Sequence, residues 1–191
     1  MDTRRWIGRA SLAATIVLAL GMWRADRGVA VTGGTLDQRA MAWWAVGRFS
    51  EAGIGVPSLE IRFHRDRAGC EGRLGMHRDG TAHLCGIHVN DLSRHDLLHE
   101  MSHAWVDANV SAVREARFLH LRQLETWNDH DVEWEERGTE HAAEIIGWAV
   151  AGQPGGTGMP SIPMNDPQQL AAAYELLTGH PLPDLSATVP S

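Results

Sequence analysis

Apolar residues recur along the chain with two different spacings, and the change from one to the other predicts an α+β fold. Thr35 and Gln38 have the spacing of a capping box, and the apolar positions after them follow a helical period over residues 36–52. The buried side of this helix is expected to contain Trp43, Trp44, Val46 and Phe49. Residues 59–63 instead alternate between apolar and polar, as in a strand with one solvent-facing side.

A turn signal, Asp79-Gly80, lies between two short strand-like runs and predicts a β-hairpin. Cys70 and Cys85 lie on either side of this turn, so the hairpin would bring them close together. In an exported chain, an even number of cysteines favours a disulfide over a metal site that uses both thiols or two reduced buried cysteines. We therefore expect a small antiparallel sheet whose hairpin is tied down by a bridge between these two cysteines.

The second half of the chain has mainly helical spacing. The cluster at residues 90–93 is typical of a helix start, and this helix is expected to continue to about Asp107. Further helices are predicted over residues 111–124, 139–151 and 167–178. The chain is therefore predicted to fold as a small sheet packed against several helices.

The N-terminal thirty residues have the layout of a secretory signal. Residues 1–9 contain three arginines, and residues 10–22 form an apolar run that is short for a membrane span. Small residues at 28–30 suit cleavage, whereas retention of the segment would leave a single-helix membrane anchor. Residues 1–30 are thus predicted to be a signal peptide or an N-terminal anchor. Residues 31–191 are predicted to form one domain, secreted or held on the extracellular side of the membrane.

Composition narrows the classes of partner. Of the 191 residues, 43% are hydrophobic and 21% are charged, which is enough apolar material for a folded core. The formal net charge is −7 and the body of the chain contains no strongly basic region, which argues against nucleic-acid binding. The sequence contains no glycine-rich phosphate loop and no repeat.

The most specific pattern in the sequence is His99-Glu100-Met101-Ser102-His103. Two histidines four residues apart lie one turn apart on one face of a helix, so both rings can bind the same zinc ion. Glu100 lies between them, where it can accept a proton from a metal-bound water. This segment is therefore predicted to supply two zinc ligands and a catalytic base.

A catalytic zinc site takes three protein ligands, so a third residue is required. The metzincin pattern is excluded because Val106 and Asn109 occupy the positions of its glycine and its third histidine. Glu140 and Glu144 lie four residues apart on the predicted helix 139–151, and two acids on an otherwise apolar helix are costly to bury without a cation. Either can supply the third ligand, unless both belong to a solvent-facing acidic stripe.

Together these segments resemble the gluzincin group of zinc metallopeptidases. The resemblance rests on Leu-His-Glu-Met-Ser-His-Ala-Trp at 98–105 and on the Glu-x-x-Ala-Glu spacing at 140–144, and it extends to exported actinobacterial proteins of this type. It implies a zincin-like fold in which a small antiparallel sheet packs on the active-site helix. It also implies Zn²⁺ bound by His99, His103 and Glu140, with Glu144 supporting a ligand histidine or acting as the alternative ligand.

The expected reaction follows from this ligand set. Zinc lowers the pKa of its bound water towards about 7, and Glu100 takes the proton as this water attacks a peptide carbonyl. The chain is thus expected to be a zinc-dependent peptidase acting on peptides or proteins, with a non-catalytic zincin-fold binding module at the cell surface as the alternative. Candidates for the group that stabilises the oxyanion are Tyr174, His130, Arg137, His141 and His180, although core packing is the simpler role for the tyrosine.

Other polar residues carry weaker signals. His95 continues the face of His99 one turn earlier, but it is predicted to be solvated near the helix start. Solvent-facing positions, with cleft lining as the alternative, are also expected for His64, His77, His83 and His88. The acidic stretch 129–133 lacks the glycine and the glutamate spacing of a calcium loop, so its carboxylates are predicted to be solvated: Asp129, Asp131 and Glu133.

Overall fold

Four β-strands and five α-helices make up the part of the chain described by the computed structural model, residues 28–152 and 166–184. In chain order they are β1 (Val29–Gly33), α1 (Leu36–Glu51), β2 (Leu59–His64), β3 (Gly75–Arg78), β4 (Thr81–Cys85), α2 (Asp91–Asn109), α3 (Ala112–Arg122), α4 (Gly138–Ala151) and α5 (Pro167–Thr178). Two short 3₁₀-helices, Arg67–Cys70 and Trp134–Glu136, precede β3 and α4. The predicted α+β class is confirmed.

The strands form one mixed sheet in the order β1-β2-β4-β3. β1, β2 and β4 are parallel, with Val29 opposite Leu59 and Glu60 opposite Thr81, and β3 alone runs antiparallel to its neighbour β4. The expectation of an antiparallel sheet is therefore wrong outside the hairpin. The reason is topological, because α1 carries the chain from the end of β1 back to the start of β2 and such crossovers join parallel strands.

β1 is absent from the sequence-based prediction because its first residues fall in the segment that predicts a leader. Val29 and Ala30, the last two residues of the predicted leader or anchor, pair with β2 in the structure. Val29 and Val31 are partly buried against the core. The remainder of the predicted signal or anchor, residues 1–27, lies outside the described residues. Among the described helices, none is both long enough and apolar enough to cross a membrane.

α1 begins at the predicted capping box and buries one side in the main core. Val46 and Phe49 are buried as expected, whereas Trp43 and Trp44 are 37% and 36% exposed, so the prediction for the two tryptophans is wrong. The buried positions of the helix repeat on one face, and the tryptophans lie outside that face: the buried residues are Met41, Ala42, Ala45, Val46, Arg48 and Phe49.

The predicted hairpin is present, and Asp79 and Gly80 form its turn with φ angles of 50° and 72°. The predicted disulfide is also present. It joins Cys70 of the first 3₁₀-helix to Cys85 at the end of β4, and both residues are fully buried. With Met76 they form a small apolar cluster separate from the main core. A bridge that closes a loop of this length contributes about 3 kcal/mol and indicates an oxidising environment.

α2 and α4 cross in close contact, and this packing positions the candidate site. Gly147 of α4 lies so near α2 that an added Cβ atom would be 3.5 Å from the backbone nitrogen of His99. Ala143, one turn earlier on α4, is also fully buried. These small residues let the longer side chains of the two helices meet between them. The main core lies between the sheet and the helices and includes Phe49, Ile61, Leu84, Leu97, Ile145 and Ile146.

Candidate metal centre

α2 begins at a capping box in which Asn90 and Ser93 each bond the backbone N–H of the other residue. Because the helix begins at this cap, its period of about 3.6 residues places one side of α2 in the core. The buried apolar residues of that side are Leu97, Leu98, Met101, Ala104, Trp105 and Val106. His99 and His103 lie on the side that faces α4, so the helix presents both rings to the second helix.

Three ligand atoms from the two helices form a small triangle. The Nε2 atoms of His99 and His103 are 3.0 Å apart, and Glu140 Oε2 lies 3.2 Å from the first and 3.1 Å from the second. A tetrahedral zinc ion with bonds of about 2.0–2.1 Å requires its ligand atoms to be about 3.3 Å apart. The three side chains therefore fit one metal ion, and they form the one metal-binding group found among the described residues.

Glu144 lies on the other side of the His99 ring. Its Oε2 atom is 3.0 Å from His99 Nδ1, and its side chain is 1% exposed. His99 Nδ1–H donates to this carboxylate, so Nε2 is the ring nitrogen that faces Glu140 and His103. An imidazole that donates one N–H to a carboxylate while presenting its other nitrogen is the usual arrangement of a metal-ligating histidine. The geometry therefore favours Glu140 as ligand and Glu144 as the support of His99.

His95 extends this arrangement by one turn. Its side chain is 33% exposed and so is partly solvated as predicted, but its Nε2 atom also lies 2.8 Å from Oε1 of the buried Glu144, a contact that was not predicted. The neighbouring carboxylates of Asp96 and Glu144 raise the pKa of His95 to about 9. The four-residue spacing of histidines 95, 99 and 103 places them on one helix face. This spacing indicates a shared carboxylate partner only once α4 is known to bring Glu144 to that face.

The two carboxylates of α4 set the charge of the centre. Burial opposes their ionisation, but hydrogen bonds with the histidines lower the pKa of Glu140 and lower that of Glu144 to about 2. Burial also opposes protonation of His99, yet its bonds to the same carboxylates raise its pKa to about 10. The two carboxylates therefore stabilise positive charge on His99. A metal ion that replaced the protons on the histidines would be stabilised by the same carboxylates.

Glu100 is held between α2 and the strand β3. It is 8% exposed, and burial raises the pKa of its carboxyl group. The backbone of Gly75 lies so close that an added Cβ atom would be 2.5 Å from Glu100 Oε1. Glycine at this position therefore makes room for the carboxylate, a role that the sequence pattern alone did not reveal.

The triangle of ligand atoms opens onto a cleft of about 980 Å³ between β3, α2 and the segment before α4. His77 on β3 lines this cleft and is 10% exposed, so its predicted solvent-facing position is wrong. Its ring stacks on that of His103 with centroids 6.2 Å apart, because α2 covers this face of the strand. Trp134 is exposed in the same cleft, with its ring 6.1 Å from that of His99.

Of the five candidate oxyanion donors, two line the cleft and three do not. Tyr174 is buried in the core, as its simpler role predicts, and His141 is buried with Nε2–H donating to the carbonyl of Glu135. His180 lies outside the residues that line the cleft, whereas His130 and Arg137 line it.

The remaining polar residues behave mainly as predicted. His64 and His83 are partly exposed on neighbouring strands, with 2.9 Å between Nε2 of the first and Nδ1 of the second, and His88 is exposed. The acidic residues before α4 are exposed as expected: Asp129, Asp131 and Glu133.

Comparison of the chain with protein-family models, with curated proteins and with solved structures found no match. The interpretation of the centre therefore rests on its own geometry, which is that of a cluster able to hold a metal ion at the base of an open cleft.

Proposed function

We propose that the protein is a zinc-dependent metallopeptidase of the gluzincin type, with a zincin-like fold. The observation that carries the proposal is the triangle formed by His99 Nε2, His103 Nε2 and Glu140 Oε2, with edges of 3.0–3.2 Å. Two imidazoles and one carboxylate are the donor set of one class of catalytic zinc sites, which keep a further position open for water or substrate. The cleft beside the triangle provides that access.

A bound zinc ion would supply a Lewis acid that polarises a carbonyl and makes water more acidic at neutral pH. Glu100 acts as the base: its carboxylate accepts the proton of the attacking water and later returns it to the amide nitrogen that leaves. Its burial between α2 and Gly75 supports this role, because a carboxylate fixed in one place transfers protons along a defined path.

The arrangement of elements supports the gluzincin type in particular. The third ligand comes from a second helix, α4, and Ala143 and Gly147 allow α4 to approach α2 closely. β3 is the edge strand of the sheet and borders the cleft, so an extended peptide can lie along it as an added strand. Peptides or proteins are therefore the proposed substrates.

The proposed location is outside the cytoplasm, as a secreted protein or one anchored by its N-terminal segment. The Cys70–Cys85 disulfide supports this location, because structural disulfides persist in oxidising compartments. The disulfide also fixes the loop that leads into β3, so its presence is consistent with an active site that works in such an environment.

Hydrolysis of fluorescein-labelled casein by the full chain tests the proposal. Activity is expected with added zinc, is expected to disappear with the chelator 1,10-phenanthroline, and is expected to return when excess zinc is restored. Glu100→Gln should bind zinc as the wild type does and lose the activity. Hydrolysis that survives Glu100→Gln would contradict the proposed mechanism, and tight zinc binding with no cleavage of casein or of a peptide library would favour the binding module instead.

A further inference from the structure

We propose that Arg137 binds a carboxylate of the substrate, either the C-terminal carboxylate of a peptide or the side chain of an aspartate or glutamate. The inference rests on the proposed function, because it places this carboxylate in the cleft of the proposed active site. Binding of the carboxylate itself depends on Arg137 and can be measured without hydrolysis.

Arg137 occupies the position before α4, three residues from the proposed ligand Glu140. Three residues of a helix rise about 4.5 Å, so the backbone of Arg137 lies about one helical turn before that of Glu140. The side chain is partly buried and lines the same cleft as the proposed ligands. A substrate carboxylate bound by Arg137 would therefore lie in the same cleft as the reacting carbonyl.

The guanidinium is fixed by the segment before it. Nε and Nη2 donate to the carbonyl oxygen of Val132 at 3.2 and 2.8 Å, and Nη2 also donates to the carbonyl of His130 at 3.4 Å. Nη1 has a contact of 3.4 Å with the His130 ring. The carbonyl bonds hold the plane of the group in place and leave donor capacity at Nη1, so a carboxylate would meet a pre-positioned cation.

The charge of Arg137 is not neutralised by the described part of the chain. Its bonding partners are carbonyl oxygens and a histidine ring, and no described carboxylate lies within 4.0 Å. Arg78, which lines the same cleft, instead pairs with Glu71 at 2.7 Å. A partly buried guanidinium without an acidic partner is costly, and the ligand that matches its planar pair of donors is a carboxylate.

Trp134 lines the same cleft as Arg137. It belongs to the 3₁₀-helix that directly precedes Arg137, and its exposed ring lies beside His99. A substrate residue bound in this cleft would therefore have both an aromatic surface and a fixed cation available to it.

Isothermal titration calorimetry on the full chain can test the inference with defined probes. The Glu100→Gln background prevents cleavage of the probes. Acetyl-Ala-Ala-Phe with a free C-terminus is compared with its C-terminal amide, and acetyl-Ala-Glu-Phe-amide is compared with acetyl-Ala-Gln-Phe-amide. Each pair is measured with zinc and without it, because a free carboxylate could also bind the metal directly.

We expect at least one acidic probe to bind about tenfold more tightly than its amide partner, in the zinc-free protein as well as the zinc-loaded one. The first pair reports a C-terminal carboxylate and the second reports an acidic side chain. Arg137→Gln should abolish the preference, Arg137→Lys should reduce it because the paired donors are lost, and the control Arg78→Gln should leave it unchanged.

Equal binding of acid and amide probes when Arg137 is intact, or no measurable binding of the acid probes, would overturn the inference before Arg137 is changed. A preference that survives Arg137→Gln in a folded protein would overturn it too. In chains that keep Glu100, an equal loss of kcat for acid and amide substrates in Arg137→Gln would make Arg137 an oxyanion donor and not a carboxylate site. Acid preference in a protein that binds no zinc would support the inference while contradicting the proposed function.

Discussion

Among the described residues, two pairs of histidines bring ring nitrogens within 3.0 Å of each other, but their surroundings differ. His99 and His103 lie one turn apart on α2, and α4 places Glu140 and Glu144 against them. His64 and His83, which we call the sheet pair, lie on the parallel strands β2 and β4, and neither bonds a carboxylate in the described part of the chain.

The difference appears in the affinity of the rings for a proton. The carboxylates of α4 raise the pKa of His99 to about 10 despite its burial. Burial, His64 and Arg62 lower the pKa of His83. His99 therefore gains affinity for a proton from its surroundings, whereas His83 loses it. Histidine proximity alone does not make a metal site, and the acids supplied by the second helix decide the chemistry.

Two glycines allow the largest expected difference in kcat to be tested: Gly75 lies against Glu100, beside the candidate metal centre, and Gly69 lies against His64 of the sheet pair. An added Cβ at Gly75 would displace the Glu100 carboxylate, while one at Gly69 would lie 2.6 Å from the ring of His64. Gly75→Ala should lower kcat about a hundredfold because the base is moved from its position, with zinc content unchanged. Gly69→Ala should disturb the sheet pair and leave hydrolysis intact. Equal kcat values for the two variants would contradict the placement of Glu100.

Removing the carboxylate that bonds His99 should make the candidate metal centre resemble the sheet pair, in which no carboxylate bonds the histidines in the described part of the chain. Glu144→Gln removes the negative charge that accepts the His99 N–H, and we expect zinc affinity to fall about 10- to 100-fold. Competition with a fluorescent zinc chelator measures this change. The matched control is Glu60→Gln, a carboxylate on β2 beside the sheet pair, which should leave zinc affinity unchanged. A similar loss in both variants would point to a general effect of charge.

His95 should have a smaller influence on the metal, because it acts through Glu144. We expect His95→Ala to weaken zinc binding by about tenfold or less, and His95→Gln to restore part of the loss by donating to the same carboxylate. His83→Ala should have no effect on zinc binding. Full zinc affinity in His95→Ala would show that Glu144 holds its position without this contact.

The smallest expected effect is the pH dependence of stability from the sheet pair. The pKa of His83 is lowered in the folded state, so the unfolded chain binds more protons between that pKa and the ordinary value of 6.5. Stability therefore rises with pH through this window. His83→Gln should flatten the rise in Tm between pH 5 and 7, by less than about 3 °C because the ring is partly exposed. An unchanged slope would contradict the lowered pKa.

Sequence reasoning found the parts of the site that depend on local geometry. His99, Glu100 and His103 were predictable because four-residue spacing fixes one helix face, and Glu140 with Glu144 followed from the same rule on a second helix. The capping residues and the turn at residues 79–80 were predictable for the same reason, since each depends on a few neighbouring residues.

The missed features depend on which elements meet in space. The parallel pairing of β1 with β2 involves a strand whose first residues also fit a leader sequence, and β2 pairs in parallel with β4 only after the chain has passed through β3. The burial of His77 requires α2 to cover β3. The roles of His95 and Gly75 likewise depend on contacts with α4 and with Glu100. No spacing within a single element specifies such contacts between elements.

The zinc dissociation constant of the full chain, compared between wild type, Glu140→Gln and the double variant His64→Ala, His83→Ala, tests the central claim most directly. We predict one zinc ion per chain, a loss of affinity of more than about a hundredfold in Glu140→Gln, and no change when the sheet pair is removed. A folded wild-type protein that binds no zinc, or Glu140→Gln with wild-type affinity, would contradict the claim that His99, His103 and Glu140 form a metal centre.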